Sequence, residues 1–184
     1  MKYKKKIYAF IFARKNSTRL KNKNLRKIGG KSLVERSIRI AKSINDIEKI
    51  FVSSDSPDII KIAKKEKVNY IIRPNKLAQK NSLEIDAWKH AINHLKKKRL
   101  TFDHFLSLPP TSPLKSIKDI KNLINYFQSN RSDITLTVCK SHRSPFYNMV
   151  YRNKNCKVQL INKKKENLNK IFEITTVGYI AKVD

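Results

Sequence analysis

Apolar residues along the chain fall into short blocks separated by polar stretches, and the blocks alternate between two periodicities. Ile7 to Ala13 (IYAFIFA) is apolar without a break, the pattern of a central strand covered on both faces. A polar loop runs from Arg14 to Gly30, after which Leu33, Val34, Ile38 and Ala41 recur at helical spacing. Ile50 to Val52 predict a second strand, ending at Ser53-Ser54-Asp55. Ser56-Pro57-Asp58 then supplies a capping hydroxyl, a proline at the first helical position and an acid in the first turn. Val68 to Ile72 read as a third strand. Ser82 is placed to cap a helix whose Ile85, Trp88, Ile92 and Leu95 share one face. Phe102 to Leu108 predict a fourth strand. Ser116 with Asp119 forms a capping box ahead of Ile117, Ile120, Leu123, Ile124 and Phe127, and Ile134 to Val138 predict a fifth strand.

Four strand-to-helix alternations without an internal repeat or a linker predict one α/β domain over residues 1–184. Its core is an open, mainly parallel sheet with helices on both faces. From about Pro145 the pattern changes. Tyr147 to Tyr151, Val158 to Ile161 and Ile171 to Val183 read as strands with no helix between them. They predict a strand-rich C-terminal extension. Within it, residues 145–170 carry Phe146, Tyr147, Met149, Val150 and Tyr151, apolar surface that a homodimer would bury, so this segment is the expected dimerisation arm. The sequence stops at Asp184 directly after a strand-like run, and the expectation is a chain truncated at its C terminus.

Composition narrows the class. A chain of 184 residues with 40% apolar content can build a real core and does not read as disordered. No apolar stretch is long enough to span a bilayer. Met1 to Lys6 is basic and precedes an apolar run, but Arg14-Lys15-Asn16 stands where a signal peptide needs small residues, so a buried strand explains the segment better. Cys139 and Cys156 have neither metal nor redox spacing, and a reduced, cytoplasmic protein is expected. Lys and Arg number 42 against 14 Asp and Glu, a formal net charge of +28. Nucleic-acid binding is one reading of that charge. It is the weaker one, because lysine is scattered over every polar segment and no binding motif accompanies it. A basic site for an anionic nucleotide and an acidic sugar fits the charge as well.

In an open parallel sheet, ligands bind beyond the carboxyl ends of the strands, which points to the loop after the first strand. It reads Ala13-Arg14-Lys15-Asn16-Ser17-Thr18-Arg19-Leu20-Lys21-Asn22-Lys23-Asn24. Cations and amide or hydroxyl donors in a loop are what a triphosphate requires. Arg14 and Lys23 can neutralise phosphate oxygens, with Arg19 and Lys21 in support, and Ser17 and Asn24 can hydrogen-bond phosphate, ribose or base. The loop is neither a Walker loop nor a glycine-rich dinucleotide fingerprint. On charge alone, a solvated basic loop is the stronger reading. His90, His94, His104 and His142 lack ligand spacing, and no serine or cysteine sits in a triad context.

The loop resembles the signature of the acylneuraminate cytidylyltransferases, Ala-Arg-Gly-Gly-Ser-Lys followed by Lys-Asn. Ala13, Arg14, Ser17, Lys23 and Asn24 fall on that pattern, and Lys15 and Asn16 replace the two glycines. Further segments match in the same order. They are Gly29-Gly30-Lys31-Ser32-Leu33, Val52-Ser53-Ser54-Asp55-Ser56, Arg73-Pro74 with Leu77-Ala78, and Leu108-Pro109-Pro110-Thr111-Ser112-Pro113-Leu114. Arg143-Ser144-Pro145-Phe146-Tyr147-Asn148 resembles the branch that handles sialic-acid relatives, and Phe172 to Thr176 with Tyr179 resembles a late sugar-side segment. Departures fall at Pro109, where the family has a sugar-contacting glutamine, at Lys164-Lys165-Glu166, and at Thr175, where it has asparagine.

The resemblance implies a Rossmann-like fold of the nucleotide-diphospho-sugar transferase type and the transfer of CMP from CTP to the anomeric hydroxyl of a nine-carbon 2-keto sugar acid. It implies catalytic roles for Arg14 and Lys23, and CTP contacts from Arg14, Ser17, Asn24 and Arg73. It implies sugar-side contacts from Thr111, Ser112, Arg143, Phe146, Asn148, Thr175 and Tyr179. The family's Mg²⁺ is held by paired aspartates near the C terminus. No such pair precedes Asp184, so those ligands are expected beyond residue 184 and the 184 residues are expected to bind CTP but turn over poorly. Cytidylyltransferases for 3-deoxy-octulosonic, legionaminic or pseudaminic acid are the neighbouring readings. A non-catalytic basic nucleotide- or RNA-binding remnant is the rival from another class.

Overall fold

The computed structural model describes residues 5–17, 20–143, 145–146, 149–152, 154–161 and 171–183. The chain divides into two compact units, one comprising Met1–Leu136 with Thr176–Asp184 and the other Thr137–Thr175. The elements in chain order are β1 (Ile7–Phe12), β2 (Lys27–Ile28), β3 (Lys31–Ser32), α1 (Leu33–Lys42), β4 (Ile47–Ser54), α2 (Pro57–Lys65) and β5 (Asn69–Ile72). They continue with α3 (Glu84–Lys97), β6 (His104–Ser107), α4 (Ile117–Asn130), β7 (Ile134–Lys140), β8 (Val150–Arg152), β9 (Val158–Leu160) and β10 (Phe172–Lys182). No helix among the described residues is long and apolar enough to cross a membrane.

A six-stranded sheet has the order β5-β4-β1-β6-β10-β7. β1 pairs in parallel with β4 on one side and with β6 on the other, and β4 pairs in parallel with β5. The unbroken apolar run of β1 follows from this central place, because successive side chains enter opposite cores. Ile7, Ala9 and Ile11 join Val34 and Ile38 of α1, Ile59 and Ala63 of α2, and Ile120, Ile124 and Phe127 of α4. Tyr8 and Phe10 join Phe51, Ile71, Phe102 and Phe105 with Ala91 and Leu95 of α3. The second core is largely aromatic, with Tyr8 stacked on Phe102 and Phe10 on Phe105, each pair at a centroid distance of 4.7 Å. Helices therefore cover both faces of the sheet. Each fully buried large side chain of β1 contributes about 1.5–3 kcal/mol.

The helix starts follow the capping chemistry in three of four cases. Ser32 and Glu35 form a capping box at α1, Ser56 caps α2 ahead of Pro57, and Ser116 and Asp119 form a capping box at α4. At α3 the expectation fails. The helix begins at Glu84 with Leu83 at the cap position, and Ser82 donates its hydroxyl instead to the carbonyl of Lys76, 2.9 Å away. A short hairpin, β2 with β3, was not foreseen. Its turn puts Gly29 at φ 58° and Gly30 at φ 76°, two positive values in succession that a tight hairpin turn demands and glycine adopts without strain.

The C-terminal segments divide between two fates. β10 is not part of an extension. It runs antiparallel to β6 inside the main sheet, Tyr179 opposite Ser107 and Lys182 opposite His104. β8 and β9 form a separate antiparallel ladder, Val150 opposite Leu160, in the second unit. Tyr147, with which the first of these strands was expected to begin, lies outside the described residues.

Gly178 is buried where β10 crosses α4, and a Cβ there would stand 2.9 Å from Leu123 Cδ2 and 3.4 Å from Ile120 Cδ1. Gly178→Ala is expected to destabilise the fold by about 1–3 kcal/mol, the usual cost of overpacking. Urea denaturation of both proteins checks this, and an unchanged midpoint would show that α4 is free to move away.

Candidate active site at the carboxyl edge of the sheet

The parallel strands deliver four loops to one edge. Ala13 N continues the ladder to Ser53 O at 3.0 Å before the chain leaves the sheet, Arg73 N closes onto Ser54 O at 2.9 Å, and Leu108 N reaches Phe10 O at 2.9 Å. Beyond these points lie the loops after β1, β4, β5 and β6. Those after β1, β5 and β6, with Thr176 of β10, surround an open pocket of about 290 Å³ lined by Arg14, Ser17, Lys23, Asn24, Arg73, Lys80, Ser82, Glu84, Pro109, Pro110, Thr111 and Thr176, with Phe12, Leu77, Leu83 and Ala87 as its apolar part. All of these belong to the first unit.

The loop after β1 holds its shape through its own polar groups. Asn24 is buried, and its Nδ2 donates to the carbonyl of Arg14 at 3.1 Å, tying the loop's end to its start. Asp55 Oδ1 accepts the backbone N–H of Lys15 at 2.8 Å. Asp55 therefore anchors the loop, and the cap of α2 is Ser56. Arg14 Nη1 donates to the carbonyl of Gln79 at 2.7 Å, which joins the loop after β1 to the loop after β5.

Arg73 is the most deeply set cation of the pocket. It is buried, its Nη2 donates to Ser53 O at 2.8 Å and its Nε to Ser53 Oγ at 3.3 Å, and its guanidinium carbon lies 5.6 Å from the centre of the Phe12 ring. Burial pulls its pKa down to about 10, with Arg14 adding to the fall and Asp55 and Glu84 opposing it, so the group stays cationic at neutral pH. A cation fixed by hydrogen bonds to neutral partners is suited to an anionic ligand, since neither bond cancels its charge.

Arg14, Ser17, Lys23, Asn24, Arg73 and Thr111, read from the sequence, thus come together in this pocket. Ser112 stands beside it, with its hydroxyl 2.9 Å from that of Thr176. Tyr179 does not line this pocket. Its ring meets Trp88 at 5.8 Å in a separate apolar cleft of about 210 Å³ formed with Ile85, Phe105 and Ile134. β10 runs antiparallel, so the three residues from Thr176 to Tyr179 carry the chain about 10 Å away from the carboxyl edge.

Arg143, Phe146 and Thr175 lie in the second unit. There Thr175 Oγ1 donates to Thr137 O at 3.0 Å and lies 2.7 Å from Thr137 Oγ1. Phe146 is buried, and Arg143 N donates to Ser141 Oγ at 3.3 Å. Ser141 Oγ and His142 N bond the Glu173 carboxylate and hold its pKa below the usual range. Asn148 lies outside the described residues.

Lys80, Ser82 and Glu84 line the pocket without having been singled out in the sequence as site residues, and Thr176 joins them from the segment that resembles the family's sugar side. The signal was topological, because the end of the β5 loop must return to the carboxyl edge before α3 begins. Among the described residues there is no group of three His, Cys, Asp or Glu able to hold a metal ion, and Glu84 is the one carboxylate lining this pocket. The described residues do not fit a protein-built Mg²⁺ site.

The family model described as Cytidylyltransferase matches residues 8–178. The chain belongs to the cytidylyltransferase family. It is similar to the post-translational flagellin modification protein B of Campylobacter coli, at 31% identity over 146 residues that span 78% of this chain and 62% of that protein. It is similar also to an N-acylneuraminate cytidylyltransferase of Escherichia coli O18:K1:H7, at 28% identity over 75% of this chain and 32% of that protein. The matched part thus spans under two thirds of each of these relatives. Among solved structures, a CMP:2-keto-3-deoxy-manno-octonic acid synthetase in complex with CTP has the same fold, with a TM-score of 0.68 and 16% identity over 96% of this chain and 74% of that one. The sheet and helices of this family member are accordingly those of a nucleotide-diphospho-sugar transferase-like fold.

Arg14→Ala and Lys23→Ala are each expected to weaken CTP binding by about 1–3 kcal/mol, the loss of a charge-assisted contact. Tyr179→Phe is expected to leave it unchanged. Titration calorimetry on the purified chain measures all three, and unchanged affinity in both cationic variants would remove the β1 loop from the nucleotide site.

Proposed function

We propose that the chain activates a nine-carbon 2-keto sugar acid of the sialic-acid type, transferring CMP from CTP to its anomeric hydroxyl and releasing pyrophosphate. The observation that carries this reading is the convergence of Arg14, Ser17, Lys23 and Asn24 with Arg73 and Thr111 around one pocket, at the carboxyl edge of a cytidylyltransferase fold. The similarity to an N-acylneuraminate cytidylyltransferase supports the choice of sugar.

In the reaction, a bond forms between the anomeric oxygen and the α-phosphorus while the bond from that phosphorus to the pyrophosphate oxygen breaks. The hydroxyl proton is lost to solvent or to a base. The work of the chain is to position the two anions and offset their charge. Arg14 and Lys23 face the phosphates, and Arg73 keeps the floor of the pocket positive. Ser17 and Asn24 supply polar contacts to phosphate or ribose. The family's Mg²⁺ would offset phosphate charge when bound, and among the described residues no group of three His, Cys, Asp or Glu stands together to hold it. We also propose a cytoplasmic location, where CTP is available.

Thr111, Ser112 and Thr176 form the polar rim on the β6 side and are assigned here to the sugar acid. Pro109, in the place of a side chain able to donate, makes that rim poorer in hydrogen bonds. Legionaminic, pseudaminic and 3-deoxy-octulosonic acids are therefore the comparison substrates. With CTP and Mg²⁺ present, pyrophosphate release should depend on the sugar acid and be fastest with N-acetylneuraminate. Release only with the eight-carbon acid would overturn the nine-carbon reading, and release with none of them despite CTP binding would favour a non-catalytic nucleotide-binding protein.

We further propose that the protein is a homodimer formed through residues 145–170. Within the second unit, Met149, Val150, Tyr151, Val158, Leu160 and Ile161 are all exposed on or beside the β8–β9 ladder. An apolar cluster of that kind is covered in stable proteins by a partner. Light scattering is expected to give twice the chain mass, and a monomer at micromolar concentration would rule the arm out.

A further inference from the structure

Lys115 is a buried ammonium group for which no carboxylate partner is described. It is 7% exposed, it stands immediately before Ser116 at the start of α4, and its Nζ donates to the carbonyl of Pro109. Burying a lysine without a counter-charge is costly, and an apolar side chain of similar size would fill the space at less expense. Here burial pushes its pKa down to about 7. Lys115 does not line the pocket, and the chemistry assigned above makes no use of it.

The turn it reaches is a wall of that pocket. Pro109 and Pro110 carry no N–H, so at these two positions the turn has no backbone donor with which to fasten itself. Its fixed points come from outside. Leu108 N bonds Phe10 O before the turn, and Arg36 Nε bonds Pro113 O at 3.2 Å after it. Ser112 Oγ lies 2.9 Å from Thr176 Oγ1 at its far side. Between these, among the described residues, the bond from Lys115 is the one that acts on the wall segment Pro109–Thr111 itself.

We propose that Lys115 is a positioning residue for the ligand pocket, holding the Pro109 carbonyl so that the wall Pro109–Thr111 stands fixed against the bound nucleotide or sugar acid. The proposal rests on the pocket being the ligand site. It explains why a lysine occupies a place where packing alone favours an apolar side chain.

The test compares Lys115→Met and Lys115→Arg with the unmodified chain in three measurements: thermal unfolding, ¹⁵N order parameters at Thr111 and Ser112, and CTP affinity. Lys115→Met should unfold at a temperature no lower than the parent, because it replaces a buried amine that lacks a counter-charge with an apolar side chain of similar size. Its order parameters at Thr111 and Ser112 should fall from about 0.85 to below about 0.6. Its CTP affinity should drop about tenfold, the scale of one buried hydrogen bond. Lys115→Arg should restore both order and affinity. Parental order parameters and affinity in Lys115→Met would overturn the proposal, as would a loss that follows unfolding temperature and is not rescued by arginine. If the parent chain binds no CTP, the pocket assignment fails, while the order parameters still decide whether Lys115 holds the wall.

Discussion

The structure depends on one strand being buried on both sides. β1 feeds Ile7, Ala9 and Ile11 into the core under α1, α2 and α4, and Tyr8 and Phe10 into the core under α3. A strand with no solvent face needs neighbours in both directions of the sheet, which β4 and β6 supply in parallel. Parallel pairing then dictates the site. All parallel strands end at the same edge, so the loops after β1, β4, β5 and β6 meet there, and the polar residues they carry have nowhere else to converge.

At that edge, cations are held in place by backbone carbonyls and hydroxyls. Arg14 is steadied by Gln79 O, Arg73 by Ser53 O and Oγ, and Lys115 by Pro109 O. A neutral partner fixes the position of a positive group without cancelling its charge. The carboxylates nearby are spent elsewhere, Asp55 on the N–H of Lys15 and Asp119 on the cap of α4. Arg14, Lys23, Arg73 and Lys80 thus line the pocket against the single carboxylate of Glu84, a balance that favours an anionic ligand.

Much of this could be read from the sequence, because it rests on local rules. The unbroken run at β1, the Ser56-Pro57 start and the Ser116–Asp119 box each follow from a period or a cap. The gathering of Arg14, Ser17, Lys23, Asn24 and Arg73 follows from strand ends. What escaped depends on tertiary choices. β10 reads as one more strand near the end of the chain, and nothing local says that it enters the sheet between β6 and β7. That insertion carries Tyr179 away from the pocket and brings Thr176 to it. Ser82 has the chemistry of a cap, but its hydroxyl found the carbonyl of Lys76, and α3 started one residue later than that cap implies. Lys115 carries no periodic signal at all. In sequence it is one lysine among many, and its burial becomes visible only once the turn after β6 is folded over it.

The central claim is that the loop after β1 holds the phosphates of a cytidine nucleotide at the carboxyl edge of the sheet. A crystal structure of the chain with CTP tests it most directly. The account predicts triphosphate oxygens within hydrogen-bonding distance of Arg14, Ser17 and Lys23, with Arg73 and the wall Pro109–Thr111 enclosing the rest of the molecule. Nucleotide bound away from that loop, in the apolar cleft beside Trp88 and Tyr179 for example, would contradict it.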